Sequence, residues 1–577
     1  MPCTEPVTSE EYADFIARYF KSPEDFRRMW GTDCIDFISH QYAVIYAPLT
    51  ELATPVLTLS AATYSAIPKL YTLSDSVSAE AAGIARAARL PVLAGGGRGV
   101  IIGFVDTGID YQNPLFRNPD GTTRILGIWD QTFGNGNTVP GNTFRSLYGT
   151  QYTHEQINEA LRTEDPLSVV PSTDTDGHGT FLASIAAGNA DEANGFTGAA
   201  PGASIAVVKL KPAKQYLRDF FQIPEAAAAY QENDIMMGVS YLYSIARQYS
   251  MPIVVCLGVS TNQGSHTGHS PLDIFLDEVS SFFGSAVVVA AGNENGYSTH
   301  YRGSTSQEAP EADVELRVGE ASTGFTMELW AQNVELYRIG FVSPTGEVVQ
   351  PLPTSTDDQD SVHFLLDRTE ISVYYKIADP STGSQLIFIR FRTPMTGIWH
   401  IRVSSALSLS GVFHIWLPVH DFLDPGTYFL RPDPDMMITG PGNAQYPITV
   451  SAYNHITGGI YIHSSRGFSR TGQIKPEIAA PGVDILGAGL APGQGAVQTP
   501  VYVRRSGTSA AAAHAAGAAA LLLKWGILDG NDFFMSTLAI KTYFIRGANR
   551  NPESVYPNRE FGYGTLDLYA AFLSLAT

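Results

Sequence analysis

The chain has 577 residues, of which 44% are hydrophobic and 16% charged. At roughly 100–200 residues per domain the length calls for two or three units, and the composition excludes bulk disorder. With 56 acidic against 36 basic residues the formal charge is -20, which excludes nucleic acid and anionic membranes as expected partners.

The N-terminus reads MPCTEPVTSEEYADFIARYF. It has no basic region followed by an apolar one, so no secretory signal is visible and a cytoplasmic location is expected. Three cysteines, Cys3, Cys34 and Cys256, allow one bridge at most, and free thiols are expected. Tyr12, Phe15, Ile16 and Tyr19 share a helical stripe, so the spacing predicts a helix over Ser9–Phe20. From Cys34 to Leu49 the β-branched residues Ile35, Ile38, Val44 and Ile45 predict strands. This small α+β unit ends within Leu57–Val77, in a Ser/Ala/Thr-rich stretch that reads as a linker with short local structure.

After Gly95–Gly97 comes the apolar run Val100–Val105, which suits a strand buried on both faces. Similar runs recur at Ser204–Leu210, Ile253–Leu257 and Ala286–Ala291, with helical stretches at Phe181–Ala187 and Asp234–Gln248. The alternation predicts an α/β, doubly wound, mostly parallel sheet. From Thr305 to about Val419 the period changes to two. Val314, Leu316 and Val318 point one way, Glu315 and Arg317 the other. Trp399, Ile401 and Val403 behave alike, as do Phe413, Ile415 and Leu417 around His414. Turn signals at Pro344-Thr345-Gly346 and Thr382-Gly383 separate these runs, which predict an inserted antiparallel β-sandwich. The first pattern resumes near Ile448–Ala452. No apolar run reaches the ~20 residues of a membrane helix. The longest, Ala510–Leu523, reads as a buried helix. The expected division is 1–66, 67–304, 305–436 and 437–577.

Four motifs lie at the ends of predicted elements. FVDTGID places Asp106 at the carboxyl end of a buried strand, the edge where open α/β sheets gather functional groups. DTDGHGTFLASIAAG places His178 between glycines that leave the imidazole uncovered. SGTSAAAAHAAGAAALLLKWG places Ser509 in the first turn of a helix, where outward N–H groups can hold a nucleophile and an oxyanion. VVVAAGNENG places Asn293 just past a strand, with a side-chain N–H that can donate to an oxyanion. Each has a plainer reading: a turn aspartate, an exposed histidine, an N-cap serine and an Asx-turn. Together they supply nucleophile, base and orienting carboxylate. His514, five residues beyond Ser509, points elsewhere and is read as a packing residue.

These segments resemble the subtilisin-like serine proteases, the subtilases. The matching motifs are Asp106-Thr107-Gly108, His178-Gly179-Thr180, Gly507-Thr508-Ser509 and Asn293. Gly198-Ala199-Ala200-Pro201-Gly202-Ala203 and Lys475-Pro476-Glu477-Ile478-Ala479-Ala480-Pro481-Gly482 support them. More narrowly, the chain is similar to the Csp proteases of clostridial spores. Ala512 and Ala513 stand where most subtilases have Ser-Pro, the segment IPKLYTLSDSVSAEAAGI matches, and a sandwich is inserted between the Asn293 and Ser509 motifs.

The resemblance implies a catalytic triad of Asp106, His178 and Ser509 with Asn293 at the oxyanion. It implies a prodomain over 1–66 that the enzyme cuts off, within Thr63–Val77, and then retains, and a jelly-roll insert. It also implies a substrate strand paired with Cys256-Leu257-Gly258, and a first pocket walled by that segment and by Ala291-Gly292. The partner is then a protein substrate, in the Csp family a pro-enzyme that degrades spore cortex, and a spore-associated location and a monomer are expected. The alternative is a non-catalytic binding or sensing scaffold, since the Csp family includes pseudoproteases. Phe181 stands where many subtilases have a second histidine. No D-x-[DN]-x-[DN]-G loop is present, and Asp174 and Asp176 are read as turn formers. No metal and no cofactor are expected.

Overall fold

The computed structural model describes residues 6–20, 22–51, 66–73, 82–87, 95–332, 334–353, 359–407, 410–491 and 499–575. Its centre is an eight-stranded sheet. In spatial order the strands are Ile478–Pro481, Ile448–Tyr453, Ser285–Ala290, Ile253–Leu257, Ile101–Asp106, Ser204–Lys209, Ile125–Asp130 and Thr150–Thr153. Seven run parallel, and Thr150–Thr153 runs antiparallel at the edge. Strands buried on both faces need apolar side chains throughout. Ile102 and Phe104 accordingly face one core and Ile101 and Val105 the other.

The first core is closed by the helices His178–Ala187 and Thr508–Leu523, the second by Glu232–Tyr249 and Pro271–Ser280. Every residue of Thr508–Leu523 is buried, as the alanine-rich run predicts. With its continuation to Leu528 this segment is long and apolar enough to cross a membrane, and 78% of its most apolar stretch lies inside the protein.

The insertion leaves the sheet after Ser285–Ala290 and returns through the neighbouring strand Ile448–Tyr453. Between them, a six-stranded and a five-stranded antiparallel sheet enclose one core. Val314, Leu316, Val318, Trp399, Ile401, Val403, Phe413, Ile415 and Leu417 all face it. His300–Ser304 is already an edge strand of the larger sheet, paired with Val412–Trp416. His414 points away from this core but not into water. It is 2% exposed, because that face packs on the α/β layer. His414 Nδ1 lies 3.0 Å from His300 Nε2, and Trp416 stacks on His266 with centroids 4.1 Å apart.

Two expectations fail in the N-terminal unit. Tyr12–Arg18 is a strand rather than a helix, paired antiparallel with Tyr42–Pro48, which also pairs with Ile35–Phe37. Ala13 and Asp14 bury toward opposite sides, so both faces are covered and no two-residue alternation marks the strand. The helix comes later, at Pro23–Trp30, capped by Ser22 Oγ and ended by Gly31 at φ +64°. Cys34 is disulfide-bonded, so the expectation of free thiols holds only for the buried Cys256. Cys3 lies outside the described residues. In the stretch read as a linker with short local structure, the described residues include a four-residue strand, Leu70–Leu73.

Candidate active site

Asp106 is the last residue of the central strand Ile101–Asp106. Its Oδ1 accepts the Thr107 N–H at 2.8 Å, and Thr107 Oγ1 accepts the Gly179 N–H at 2.9 Å. The two motifs touch here. A Cβ on Gly179 would lie 2.2 Å from the Gly108 carbonyl oxygen, so only glycine permits this approach. His178 begins the helix His178–Ala187. The loop before it is built on Asp174, a role that the D-T-D-G turn pattern makes legible. Asp174 Oδ1 accepts from the Asp176 and Gly177 amides, and Oδ2 from the Thr180 amide and hydroxyl.

The structure brings the three expected groups into line. His178 Nδ1 lies 2.8 Å from Asp106 Oδ1, and His178 Nε2 lies 3.3 Å from Ser509 Oγ. A carboxylate only accepts, so Nδ1–H donates to Asp106 and Nε2 is left to accept the serine proton. All three residues are buried. Ser509 is the second residue of its helix, after Gly507 as N-cap.

Asn293 stands beside the same helix end. Its Oδ1 accepts the Thr508 N–H at 3.0 Å and the Thr508 hydroxyl at 3.1 Å. The oxygen is thereby fixed, and the NH2 is the end of the amide left to donate elsewhere. Thr508 also accepts the Gly292 N–H at 3.1 Å. The motif Gly507-Thr508-Ser509 includes Thr508, but its hold on the Asn293 oxygen joins residues 215 positions apart and has no local sequence signal.

The expected substrate-binding residues separate. Gly258 lies at the site: a Cβ there would be 3.0 Å from His178 Cε1 and 3.1 Å from Ser509 Cβ. The Cys256 and Leu257 side chains belong to the cores on the two faces of the sheet, because strand alternation sends them there, and the pairing expected of this segment is by backbone. Burial pushes the Cys256 thiol pKa far up. Ala291 and Gly292 lie behind Asn293. The Ala291 carbonyl accepts from Thr439, and Gly292 takes φ +98°.

A strand of the chain itself already lies along the cleft. Leu70–Leu73 runs antiparallel between Tyr230–Gln231 and Val259–Ser260, with Leu70 opposite Gln231, Tyr71 opposite Tyr230, Thr72 opposite Ser260 and Leu73 opposite Val259. Described pairing thus falls just past Cys256-Leu257-Gly258, and residues 74–81 lie outside the described ones. Glu232 accepts the Lys69 N–H and Gln263 the Leu70 N–H. Thr72 and Leu73 share the cleft lining with His178, Arg505 and, from the insert, Asp421 and Leu423.

His514 packs in the core, with Nδ1 3.1 Å from the Pro481 carbonyl oxygen, and burial pushes its pKa down to about 3. Phe181 fills space against Gly487. Among the described residues no group of three or more His, Cys, Asp or Glu is placed to hold a metal.

The model of the Peptidase S8 subtilase family matches residues 97–326 and 433–564. The structure of the Clostridium perfringens CspB protease aligns with a TM-score of 0.75 and 31% identity, over 86% of this chain and 97% of that one. Subtilisin-like protease SBT3 of Solanum lycopersicum is 27% identical over 460 residues, 74% of this chain and 55% of the relative. Subtilisin-like protease SBT2.2 of Arabidopsis thaliana is 32% identical over 161 residues, 26% of this chain and 17% of the relative. The chain therefore spans about half the length of the first of these curated relatives and less of the second. With the family match covering well over half of the chain, in two segments separated by most of the inserted sandwich, this chain belongs to the subtilase family of serine proteases.

Proposed function

We propose that the chain is a serine endopeptidase that cuts its own N-terminal segment and then a protein substrate. The observation that carries this is the Asp106–His178–Ser509 line, at 2.8 and 3.3 Å, beside a strand of the chain's own backbone. Ser509 Oγ attacks the carbonyl carbon while His178 Nε2 takes its proton. Asp106 holds the tautomer and stabilises the imidazolium. The Asn293 NH2 and the Ser509 N–H receive the charge that develops on the oxygen. His178 then returns the proton to the leaving amine, and water releases the acyl group by the same steps in reverse.

Antiparallel register supports a cut beyond Leu73. Continued from Leu73 opposite Val259, the chain direction leads toward Gly258, where an added Cβ would meet both His178 and Ser509. The scissile bond is then within Ser74–Val77. In this reading residues 1–66 are a prodomain that stays docked, the strand Leu70–Leu73 remains joined to it after the cut, and 305–436 are a jelly roll. The enzyme is a monomer, and its location is cytoplasmic or the spore. The substrate in this reading is the one that the resemblance to the Csp proteases implies, a pro-enzyme active in spore germination, and the likeness to the CspB protease supports that resemblance.

Intact-mass measurement of the purified chain tests the reading. Wild type should appear as two fragments that divide between 74 and 77, and Ser509→Ala as one full-length species. Equal processing of both chains would overturn self-cleavage.

A further inference from the structure

Glu294, one residue past Asn293, is a carboxylate only 2% exposed. Both its oxygens are given to a single residue of the inserted sandwich. Oε2 accepts the backbone N–H of His420 at 2.9 Å, and Oε1 lies 2.9 Å from Nδ1 of its ring. His420 opens the short turn His420–Phe422, which lies between the sandwich strands Val412–Trp416 and Tyr428–Phe429. The turn is pinned by Phe422, which is buried, while Asp421 and Leu423 face the cleft beside His178.

The His420 ring lies flat on Tyr297 with centroids 3.8 Å apart, and Tyr297 lies on His463 at 4.8 Å. The charged groups facing the ring are Glu294 and Asp421, the latter 3.3 Å from Nε2. Burial alone would pull the His420 pKa down, but the Glu294 hydrogen bond and charge, together with Asp421, outweigh it and leave it raised. On its other side, the loop of Asn293 is fastened by Thr508 to the Asn293 oxygen and by Ser465 Oγ to the Glu294 N–H.

We infer that Glu294 and His420 are positioning residues that tie the inserted sandwich to the Asn293 loop, so that oxyanion stabilisation depends on the insert. The inference rests on the reading of Asn293 as an oxyanion donor. Such a donor works only when held close to where the charge appears, and a displacement of about 1 Å is enough to cost roughly 100-fold. Without the His420 ring the buried carboxylate loses its charged partner. It must then turn toward water, and it drags the adjoining backbone with it.

The test is the rate of self-cleavage of the newly synthesised full chain from pH 6 to 9, with melting curves to confirm that each variant is folded. His420→Leu should slow the cut about 10- to 100-fold. His420→Asn places an amide N–H where Nδ1 stood and should stay within about threefold of wild type. Glu294→Gln, equal in shape, should also slow the cut. The advantage of wild type over Glu294→Gln should shrink as pH rises, because the His420 charge is lost. In an Asn293→Ala chain, His420→Leu should add no further loss, since the residue through which it acts is gone. Wild-type rates in His420→Leu, or the same loss repeated in full on the Asn293→Ala background, would overturn the inference and leave the protease reading standing. A wild-type rate in Asn293→Ala would overturn the oxyanion role and the inference together. Cleavage undiminished in Ser509→Ala would remove the reading on which both rest.

Discussion

The N-terminal unit and the inserted sandwich both pack on the α/β layer, but through different chemistry. The N-terminal seam is a network of buried charge. Asp14 pairs with Lys214 and accepts from Gln231 and Asn233, while Asp36 accepts the Leu147 N–H. Next to them Lys211 pairs with Asp234, which accepts from Tyr148. Apart from the Glu294–His420 pair, the sandwich seam is made mostly of rings. Trp416 lies between His266 and His300, and Phe388 stacks on Phe220 with centroids 5.5 Å apart. Burial pushes the His266 and His300 pKa values down to about 3. A ring seam is indistinguishable from a domain core. A charged seam is specific, yet it adds little net stability once desolvation is counted. The first should hold two units together permanently. The second should define one docking geometry and respond to pH.

Substitution at the ring seam should give the largest effect. Trp416→Ala removes a side chain 1% exposed and should cost roughly 3–5 kcal/mol. Calorimetry should show one lowered transition that includes the α/β layer. A separate early transition for the sandwich alone would break the comparison, because the seam would then not be part of a common core.

At the charged seam, Lys214→Met leaves Asp14 buried without its cation and should destabilise docking by about 3 kcal/mol. Asp14→Asn in the same chain should restore part of that loss, because the remaining amide carries no charge. The readout is retention of the N-terminal unit on size-exclusion chromatography in rising urea. Equal losses in the single and double variants would show that packing, not charge, holds this seam.

The smallest expected effect is the pH response. Burial pushes the Asp36 carboxyl up to about 7, although hydrogen bonds from Leu147 and Tyr46 oppose it. The folded state therefore binds the proton more tightly than an unfolded chain, whose aspartate titrates near ~3.9. The associated stability is complete below that value and is lost as pH rises through about 7. Docking of the N-terminal unit should weaken between pH 5 and 8, and Asp36→Asn should flatten that dependence. A profile unchanged by Asp36→Asn would remove Asp36 as its source.

How much was legible from sequence follows the same physics. The parallel strands announce themselves because burial on both faces demands an unbroken apolar run, and Ile253–Leu257 is found at the predicted bounds. The triad motifs were legible because close backbone approach demands glycine beside them, as at Gly179 against Gly108. The family likeness read from those motifs is borne out by the matches on both sides of the insert. Tyr12–Arg18 was misread because its apolar residues happen to fall at helical spacing while pairing with Tyr42–Pro48 covers both faces. Leu70–Leu73 is legible only as short local structure in a linker, because four residues carry no period and its strand character comes from two partners more than 150 positions away. The Glu294–His420 contact spans 126 positions, and no local pattern marks either residue.

The doorway of the insert has a consequence of its own. The chain departs from one parallel strand and comes back on the strand directly alongside, with Val288 opposite Ile448 and Ala290 opposite Val450. A module hung between adjoining posts can be gained, exchanged or trimmed in evolution without rethreading the layer beneath it.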